Sequence, residues 1–191
     1  KVKAALSDKA GVYKWWKMNV FKGHFDGNGA TVYGLYADKE DAALFPMVGP
    51  GSEIKNIAVK NSYFKAANNA GAIAGQVQWY NGIGDSSHTF ESCISQNNYI
   101  EGTEAGAIIG HGRENKLIIN NCLVVGNDFA GEKYLAGTSW CNSNTISNTV
   151  VIDGLVYGKG NQLKKPNVFT NVFTNTDQSG SGIAYTPEQV T

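Results

Sequence analysis

The sequence predicts an all-β solenoid of about four to five parallel coils, and three observations support this prediction. The chain of 191 residues contains 23 glycines and 20 asparagines, residues that adopt the left-handed conformation of tight turns at low cost. Its apolar runs are short and alternate with a period of two, which is typical of strands. Similar segments also recur along the chain, as expected when successive coils stack on one another.

Two series of segments alternate four times along the chain. The first series has alternating apolar residues followed by Asn, Asp or Gly, and comprises IKNIAVKNSYF from Ile54, FESCISQNNYI from Phe90, IINNCLVVGNDF from Ile118 and ISNTVVIDGLV from Ile146. The second series has small and β-branched residues, and comprises AALFPMV from Ala42, AGAIAGQV from Ala70, AGAIIGHG from Ala105 and AGTSWCN from Ala136. We expect the members of each series to form equivalent strands of successive coils.

Equivalent positions in neighbouring repeats carry similar side chains. The alignment pairs Cys93 with Cys122, Asn98 with Asn127, and Tyr99 and Ile100 with Phe129. Like side chains in register indicate parallel strands about 4.8 Å apart. We therefore expect Cys93 and Cys122 to be stacked core thiols, with a disulfide as the alternative. No second pair of ligands has the spacing of a zinc site, so no metal is expected.

The segment DGNG at residues 26–29 is predicted to form a tight turn with positive φ between strand segments. A calcium loop of the EF-hand type requires further oxygen ligands at fixed steps, but Ala30 and Val32 occupy the positions that follow. A phosphate-binding loop requires Lys and Ser or Thr ahead of a helix, and the sequence has neither there. The segment is therefore interpreted as structural, and no cofactor is predicted.

The asparagines near the predicted strand ends are also interpreted as structural, because Asn can bond backbone groups at a corner: Asn56, Asn97, Asn98, Asn120, Asn127 and Asn148.

Several of these segments resemble the GLUG-type repeat. The closest likeness lies in AGAIAGQV, FESCISQNNYIEGTEAGAIIGHG and IINNCLVVGNDFAG, while FKGHFDGNGATVYGLY, ALFPMV and GSEIKNIAVKNSYF look like the coil that leads into such repeats. The resemblance implies a right-handed parallel β-helix, and such repeats occur in large secreted or surface proteins of bacteria. The matched residues are glycines and apolar framework positions, so the resemblance informs the fold more than the activity.

The chain is predicted to have three parts. Residues 1–20 form a lead-in that caps the first coil. Residues 21–157 form the β-helix coils with GLUG-like repeats. Residues 158–191 hold a final strand segment at the two copies of VFTN, followed by a polar tail that links to a further region of a longer protein. We expect this piece of the protein to be monomeric.

The charge and hydropathy of the chain argue against two classes of partner. Sixteen basic and sixteen acidic residues give a formal net charge of zero, and the longest basic run is Lys164–Lys165. A duplex nucleic-acid binder normally has a basic excess, and a protein that binds anionic membranes has a basic cluster. The chain also has no apolar run of about 18 residues that would span a bilayer. Neither nucleic acid nor membrane insertion is therefore expected.

Aromatic residues in the longest predicted loop form the leading candidate binding site. Trp79 and Tyr80 lie close to Asn81 and Asp85 in the sequence. Aromatic faces stack on the apolar faces of sugar rings, while amides and carboxylates bond the hydroxyls. The alternative is that the two aromatic side chains only pack the loop.

The segment GHGREN at residues 110–115 is a second candidate, because it places His111 and Arg113 close together. Polygalacturonase-like β-helix hydrolases carry Gly-His-Gly after Asn-Thr-Asp and Asp-Asp. Here Asn-Thr-Asp follows instead, at residues 175–177, and Asp-Asp does not occur. Glycoside hydrolysis requires paired carboxylates, so the segment is interpreted as a polar loop, with a contribution to a binding surface as the alternative.

A lyase would need carboxylates gathered on one face, and only Asp128 and Asp153 are candidates to meet at one corner.

The leading functional hypothesis is therefore a non-enzymatic adhesion or carbohydrate-contact module of a larger bacterial protein, secreted or at the cell surface. Its expected partners are glycans or proteins of a host or cell surface. Two alternatives stay open, namely a polysaccharide lyase or glycoside hydrolase on a β-helix, and a passive spacer that displays other domains. The fold does not separate these three functions, and no catalytic residue is assigned.

Overall fold

The computed structural model describes residues 20–77, 87–113, 116–131, 134–136, 139–140, 143–157 and 168–176. Within these residues the chain consists of strands and connecting turns and contains no helix. No helix long and apolar enough to cross a membrane is therefore found in this part of the chain. The predicted cap at residues 1–20, apart from its last residue, and the polar tail from residue 177 onward lie outside it.

The strands follow one another with short connections in the described ranges. In chain order they are β1 (His24–Tyr33), β2 (Tyr36–Ala42), β3 (Phe45–Val48), β4 (Glu53–Lys60), β5 (Tyr63–Gly71), β6 (Ala74–Val77), β7 (Ser87–Glu91), β8 (Ile94–Gln96), β9 (Tyr99–Glu101), β10 (Glu104–Gly106), β11 (Ile109–Arg113), β12 (Lys116–Asn120), β13 (Leu123–Val125), β14 (Asp128–Phe129), β15 (Tyr134–Ala136), β16 (Ser139–Trp140), β17 (Ser143–Val151), β18 (Leu155–Tyr157) and β19 (Val168–Thr174). The last strand covers the first copy of VFTN and the first three residues of the second.

The strands form three sheets in which every pairing is parallel. Sheet I contains β1, β4, β7, β8, β12, β13, β17 and β19, sheet II contains β2, β5, β9, β10 and β14, and sheet III contains β3, β6, β11, β15, β16 and β18. The chain passes from sheet I to sheet II to sheet III and returns to sheet I. Four such circuits contribute to all three sheets, while the described residues of a fifth contribute β17 and β18 and those of a sixth contribute β19. The predicted fold class, an all-β parallel solenoid, is confirmed.

The first series of repeats forms the inward-facing side of sheet I. Ile54, Phe90, Ile119, Ile146 and Phe169 are successive register partners in neighbouring coils. The first four of these side chains are at most 1% exposed. Burial of such a side chain contributes about 1.5–3 kcal/mol, so one apolar residue per coil at this position stabilises the stack. The predicted alignment of this series is confirmed.

The two core cysteines lie on neighbouring coils, each one residue before the register partners Ile94 and Leu123. Cys93 and Cys122 are both buried and free, which confirms the predicted stacked thiols over the disulfide. A hydrogen bond with the Cys122 thiol, together with burial, raises the pKa of the Cys93 thiol. That thiol therefore stays protonated at neutral pH and is a poor nucleophile.

The segment at residues 26–29 lies inside strand β1, which corrects the prediction of a turn between strands. Asp26 pairs with Lys55, and the next register pair is Ala30 with Ile57. Three residues of β1 thus face the single residue Asn56 of the next coil. Such an insertion is a bulge, and the chain keeps its parallel direction on both sides of it.

The predicted positive φ is present at this bulge and recurs at the same place in every coil. The residues of this column are Asn28, Asn56, Ser92, Asn121, Asn148 and Asn171, with φ between 50° and 55°. Amide side chains connect neighbouring coils, with Asn56 bonded to Asp26, Asn121 to Ser92, Asn148 to Asn120 and Asn171 to Asn148 at 2.9–3.1 Å. We call this column the outer ladder. Asn tolerates the left-handed conformation better than other non-glycine residues, which explains its recurrence here.

The second series forms the corner between sheets II and III. Ala42, Ala70 and Ala105 are register partners, as the alignment predicted. At this corner a Cβ on Gly110 would lie 2.6 Å from the backbone oxygens of Ala70 and Gly75. Because real Cβ atoms do not approach so closely, only glycine fits at this position of the repeat.

The fourth member of the second series is misaligned, because Ala136 pairs with Ile109 and not with Ala105. The register partners Ile100 and Phe129 precede it. The third coil takes nine residues from position 100 to position 109, whereas the fourth takes seven from 129 to 136. The fourth coil is therefore shorter, and Ala136 lies in sheet III instead of the corner.

Candidate binding surface

The structure leaves the predicted binding residues largely untested. Four of them lie outside the described part of the chain: Trp79, Tyr80, Asn81 and Asp85. His111 lies in β11, where it is half-buried and in register with Gln76 of the preceding coil. Arg113 ends the same strand, and its backbone pairs with that of Trp140. Both residues thus belong to sheet III, and their role in binding stays a prediction.

A second ladder of polar side chains is buried at the corner between sheets I and II. Ser62, Asn98 and Asn127 occupy it on successive coils and are at most 7% exposed. Asn98 Oδ1 accepts the backbone N–H of Ser62 at 2.9 Å, and Asn127 Oδ1 accepts that of Asn98 at 3.0 Å. Asn98 Nδ2 also donates to the Val59 carbonyl at 3.0 Å and to Ser95 Oγ at 3.2 Å. We call this column the inner ladder. It confirms the predicted alignment of Asn98 with Asn127.

Three tyrosines stack on one another at the start of sheet II, and two of them, Tyr63 and Tyr99, directly follow the inner-ladder residues Ser62 and Asn98. Tyr36, Tyr63 and Tyr99 are at most 5% exposed, and adjacent ring centroids lie 5.0 and 4.9 Å apart. Each such pair contributes about 0.5–1.5 kcal/mol beyond the area it buries. The sequence alignment missed this stack because it paired Tyr99 with Phe129. The register partner of Tyr99 in the fourth coil is Asp128, so the stack ends there.

Charged side chains flank the tyrosine hydroxyls. The hydroxyl of Tyr36 donates to Asp38 Oδ2 at 3.4 Å, and that of Tyr99 donates to Glu101. Lys65 Nζ lies 3.1 Å from Glu101 Oε1, and its hydrogen bond to this carboxylate raises the pKa of Lys65. Burial, followed by the charge of Asp38, raises the pKa of Tyr36. Both groups therefore keep their protons at neutral pH and act as hydrogen-bond donors.

An exposed aromatic residue stands on the sheet I side of the same corner. Tyr33, at the end of β1, is 62% exposed. It is in register with Lys60, which is in register with Gln96 of the third coil, and both of these residues are half-buried. An aromatic ring, an ammonium group and an amide thus follow one another at intervals of about 4.8 Å. We call these three residues, the tyrosine stack and its charged flank the aromatic corner.

The aromatic corner presents the groups that sugar recognition needs. The exposed ring of Tyr33 offers an apolar face for a pyranose ring. Lys60 offers a donor to sugar hydroxyls, and the Gln96 amide offers both a donor and an acceptor. Because the stacked tyrosines and the inner ladder fix the backbone beneath these side chains, binding would cost side-chain freedom but little backbone freedom.

Asp128 and Asp153, the two acidic residues considered for a lyase, occupy different register positions in their coils. Asp128 is the register partner of Tyr99, whereas Asp153 lies two residues after Val151, the partner of Val124. Asp153 has a φ of 61°, and its backbone N–H donates to Asn175 Oδ1 at 2.7 Å, which is a corner role. Among the described residues, no three His, Cys, Asp or Glu side chains come together in a way that could hold a metal ion.

No protein-family model, curated protein or solved structure matches the chain. The resemblance to GLUG-type repeats therefore rests on the quoted residues alone. A function has to be inferred from the chemistry of the surface.

Proposed function

We propose that the chain is a non-enzymatic adhesion module that contacts carbohydrate through the aromatic corner. The observation that carries this proposal is the ring of Tyr33, which is 62% exposed and stands in register with Lys60 and Gln96. A ring exposed to this extent has a face available to stack on a ligand. The neighbouring donors give that ligand a polar character, and a sugar combines an apolar ring face with hydroxyl groups.

The ligand proposed is an extended polysaccharide that runs along the axis of the solenoid. Successive coils place equivalent positions about 4.8 Å apart, close to the length of one pyranose unit in an extended chain. Consecutive sugar units would therefore meet Tyr33, Lys60 and Gln96 in turn. Such a module belongs in a secreted or surface-exposed bacterial protein, where polysaccharides are available.

We also propose that the coils are right-handed and of the GLUG type. Support for the handedness comes from the rule that connections between parallel strands are right-handed in about 98% of cases. Support for the repeat type comes from the tight corner at Gly110, where a Cβ would meet backbone oxygens of Ala70 and Gly75 at 2.6 Å. A repeat that conserves this corner needs glycine at this position.

A glycan array probed with the whole chain tests the function. The expected result is binding to one class of extended polysaccharide, weakened at least about tenfold by Tyr33→Ala, which corresponds to ~1.4 kcal/mol. Phe173→Ala is the matched control, because Phe173 is also exposed, at 40%, on the distant last strand of the same sheet. The affinity of the Phe173→Ala variant for the polysaccharide is expected to equal that of the unsubstituted chain.

Three results would redirect the proposal. Binding that depends on Trp79 and not on Tyr33 would move the site to the predicted loop. Intact folding with no affinity for any glycan would favour the passive spacer. Turnover of a polysaccharide, seen as new reducing ends or unsaturated sugar products, would favour the enzyme.

A further inference from the structure

We propose that Asn28 is a self-modification site, at which the side-chain amide reacts with the backbone of Gly29 and becomes a carboxylate. The proposal rests on the bulge of β1 and is independent of any carbohydrate ligand. The reaction needs three conditions, namely an accessible amide, a following residue without a side chain, and a following N–H that is not committed to the sheet.

The bulge meets these conditions together. The register of β1 with β4 skips from Asp26 to Ala30, so Gly29 is a bulge residue with no register partner in β4, and the extra residues of a bulge are left out of the ladder. Asn28 and Gly29 are both exposed. A Cβ built on Gly29 would meet no atom within 4 Å, so the backbone there has room to rearrange.

Asn28 also differs from the other asparagines of the outer ladder. The side chains of Asn56, Asn121, Asn148 and Asn171 each donate a hydrogen bond toward the preceding coil. Asn28 belongs to the first described coil of this ladder, and its backbone N–H donates to Asp26 Oδ1 at 2.8 Å. The other four are followed by residues that carry a side chain, which hinders attack more than the glycine at position 29 does: Ile57, Cys122, Thr149 and Val172.

The neighbouring Asp26-Gly27 pair provides an internal contrast. Asp26 Oδ1 accepts hydrogen bonds from the backbone of Asn28 and from Asn56 Nδ2 at 2.8 and 2.9 Å. A Cβ on Gly27 would lie 2.6 Å from the Asn56 carbonyl oxygen, so Gly27 is packed against the next coil. These contacts therefore hinder ring closure at Asp26-Gly27, whereas the corresponding reaction at Asn28-Gly29 is unhindered.

The reaction balances with water as its only co-reactant. The Gly29 backbone nitrogen loses its proton and attacks Cγ of Asn28, so that a N–Cγ bond forms and the Cγ–Nδ2 bond breaks. The amide nitrogen takes up one proton, equivalent to the one lost by Gly29, and leaves as ammonia, and a five-membered succinimide remains. Water then adds to one of the two ring carbonyls, and the ring opens to aspartate or isoaspartate at position 28.

The product adds a negative charge to the first coil. The new carboxylate lies beside Asp26, whose pKa is lowered by hydrogen bonds from Asn56 and from the backbone of Asn28 and by the charge of Lys55. Two adjacent carboxylates repel each other. The isoaspartate form also lengthens the backbone at the bulge by one carbon, which weakens the pairing of β1 with β4.

Peptide mass spectrometry of the folded chain, incubated in mildly alkaline buffer, tests the proposal. The expected result is conversion at Asn28 at least about tenfold faster than at Asn56, Asn121, Asn148 or Asn171, a difference of ~1.4 kcal/mol in activation free energy. The peptide that contains Asn81-Gly82 is quantified separately. Asn28→Gln retains the amide but requires a larger ring, and it is expected to abolish the reaction at this position.

A comparison with a free peptide of residues 21–36 separates structure from sequence. If the bulge leaves Gly29 free, the rates at Asn28 in the folded chain and in the peptide agree within about tenfold. A native rate as slow as that of Asn56 would overturn the proposal. So would conversion at Asp26-Gly27 that matches the rate at Asn28.

Discussion

The outer and inner ladders use the same residue type at the same spacing for different physical purposes. In the outer ladder, asparagine is selected for its backbone, because each residue has a φ of 50–55° and its side chain is accessible to water. In the inner ladder, asparagine is selected for its side chain, because the amides of Asn98 and Asn127 satisfy buried backbone groups. Burial therefore decides which property of asparagine stabilises the solenoid.

The comparison predicts a large loss of stability when the inner ladder is broken. Asn98→Ala removes the acceptor for the Ser62 N–H and the donor to the Val59 carbonyl. Each buried group left without a partner costs about 1–3 kcal/mol, so the free energy of unfolding should fall by ~4 kcal/mol. Urea denaturation followed by circular dichroism measures this change. A loss below ~1 kcal/mol would show that water or a local shift replaces the amide.

His88 is a buried polar residue that belongs to neither ladder, and its protonation makes the stability of the fold depend on pH. His88 is fully buried, and within the described part of the chain neither ring nitrogen makes a hydrogen bond of good geometry, although the Gly49 backbone lies near enough to interact with the ring. Burial, opposed only in part by the Gly49 backbone, lowers the pKa of His88 from 6.5 to about 4. The unfolded chain therefore binds a proton at a higher pH than the folded chain does, and stability is lost as pH falls from 6.5 toward 4.

The expected size of this acid effect is about 3 kcal/mol. Urea denaturation at a series of pH values measures it in the natural chain and in His88→Leu. Because leucine does not titrate, the variant should lose this part of the pH dependence while keeping the part due to carboxylates. An identical pH profile for both chains would show that His88 titrates normally in the folded state.

The outer ladder predicts a smaller effect that depends on the backbone. Asn148→Ala puts a Cβ-bearing residue without a local hydrogen bond at a φ of 50°, which costs about 1–2 kcal/mol. Asn148→Gly removes the same side-chain bond to Asn120 but accepts this conformation, so it should destabilise by at least ~1 kcal/mol less than alanine. Equal losses for both variants in urea denaturation would mean that the side-chain bond, and not φ, is what matters.

The repeat pattern in the sequence was sufficient to predict the solenoid and most of its register. The pairings of Ala70 with Ala105 and of Ile119 with Ile146 appear in the structure as aligned. Ala70, Ile119 and Ile146 are buried and Ala105 is half-buried, and the core tolerates only similar side chains at stacked positions. Where the core is shorter, as in the fourth coil, the same Ala-Gly pattern misled the alignment of Ala136.

The aromatic corner could not be predicted, because it depends on the bulge in β1. Strand alternation fixes which side chains face outward only if the register is continuous. The three residues opposite Asn56 shift the register of β1 against β4 by two residues and bring Tyr33 into register with Lys60 of the next coil. Neither Gly nor Asn in the segment at residues 26–29 distinguishes a bulge from a turn, because both conformations use positive φ.

Engineered disulfides across sheet I test most directly whether residues of successive coils lie above one another in register. Asn120 and Ser147 are parallel register partners, and a spacing of about 4.8 Å lies within the Cα separation that a disulfide accepts. Asn120→Cys with Ser147→Cys should therefore crosslink on mild oxidation, as identified by mass spectrometry of the joined peptides. Glu91→Cys with Ser147→Cys, two coils apart at about 9.6 Å, should not. Crosslinking of the second pair as readily as the first would contradict the stacked register on which the fold and its surface depend.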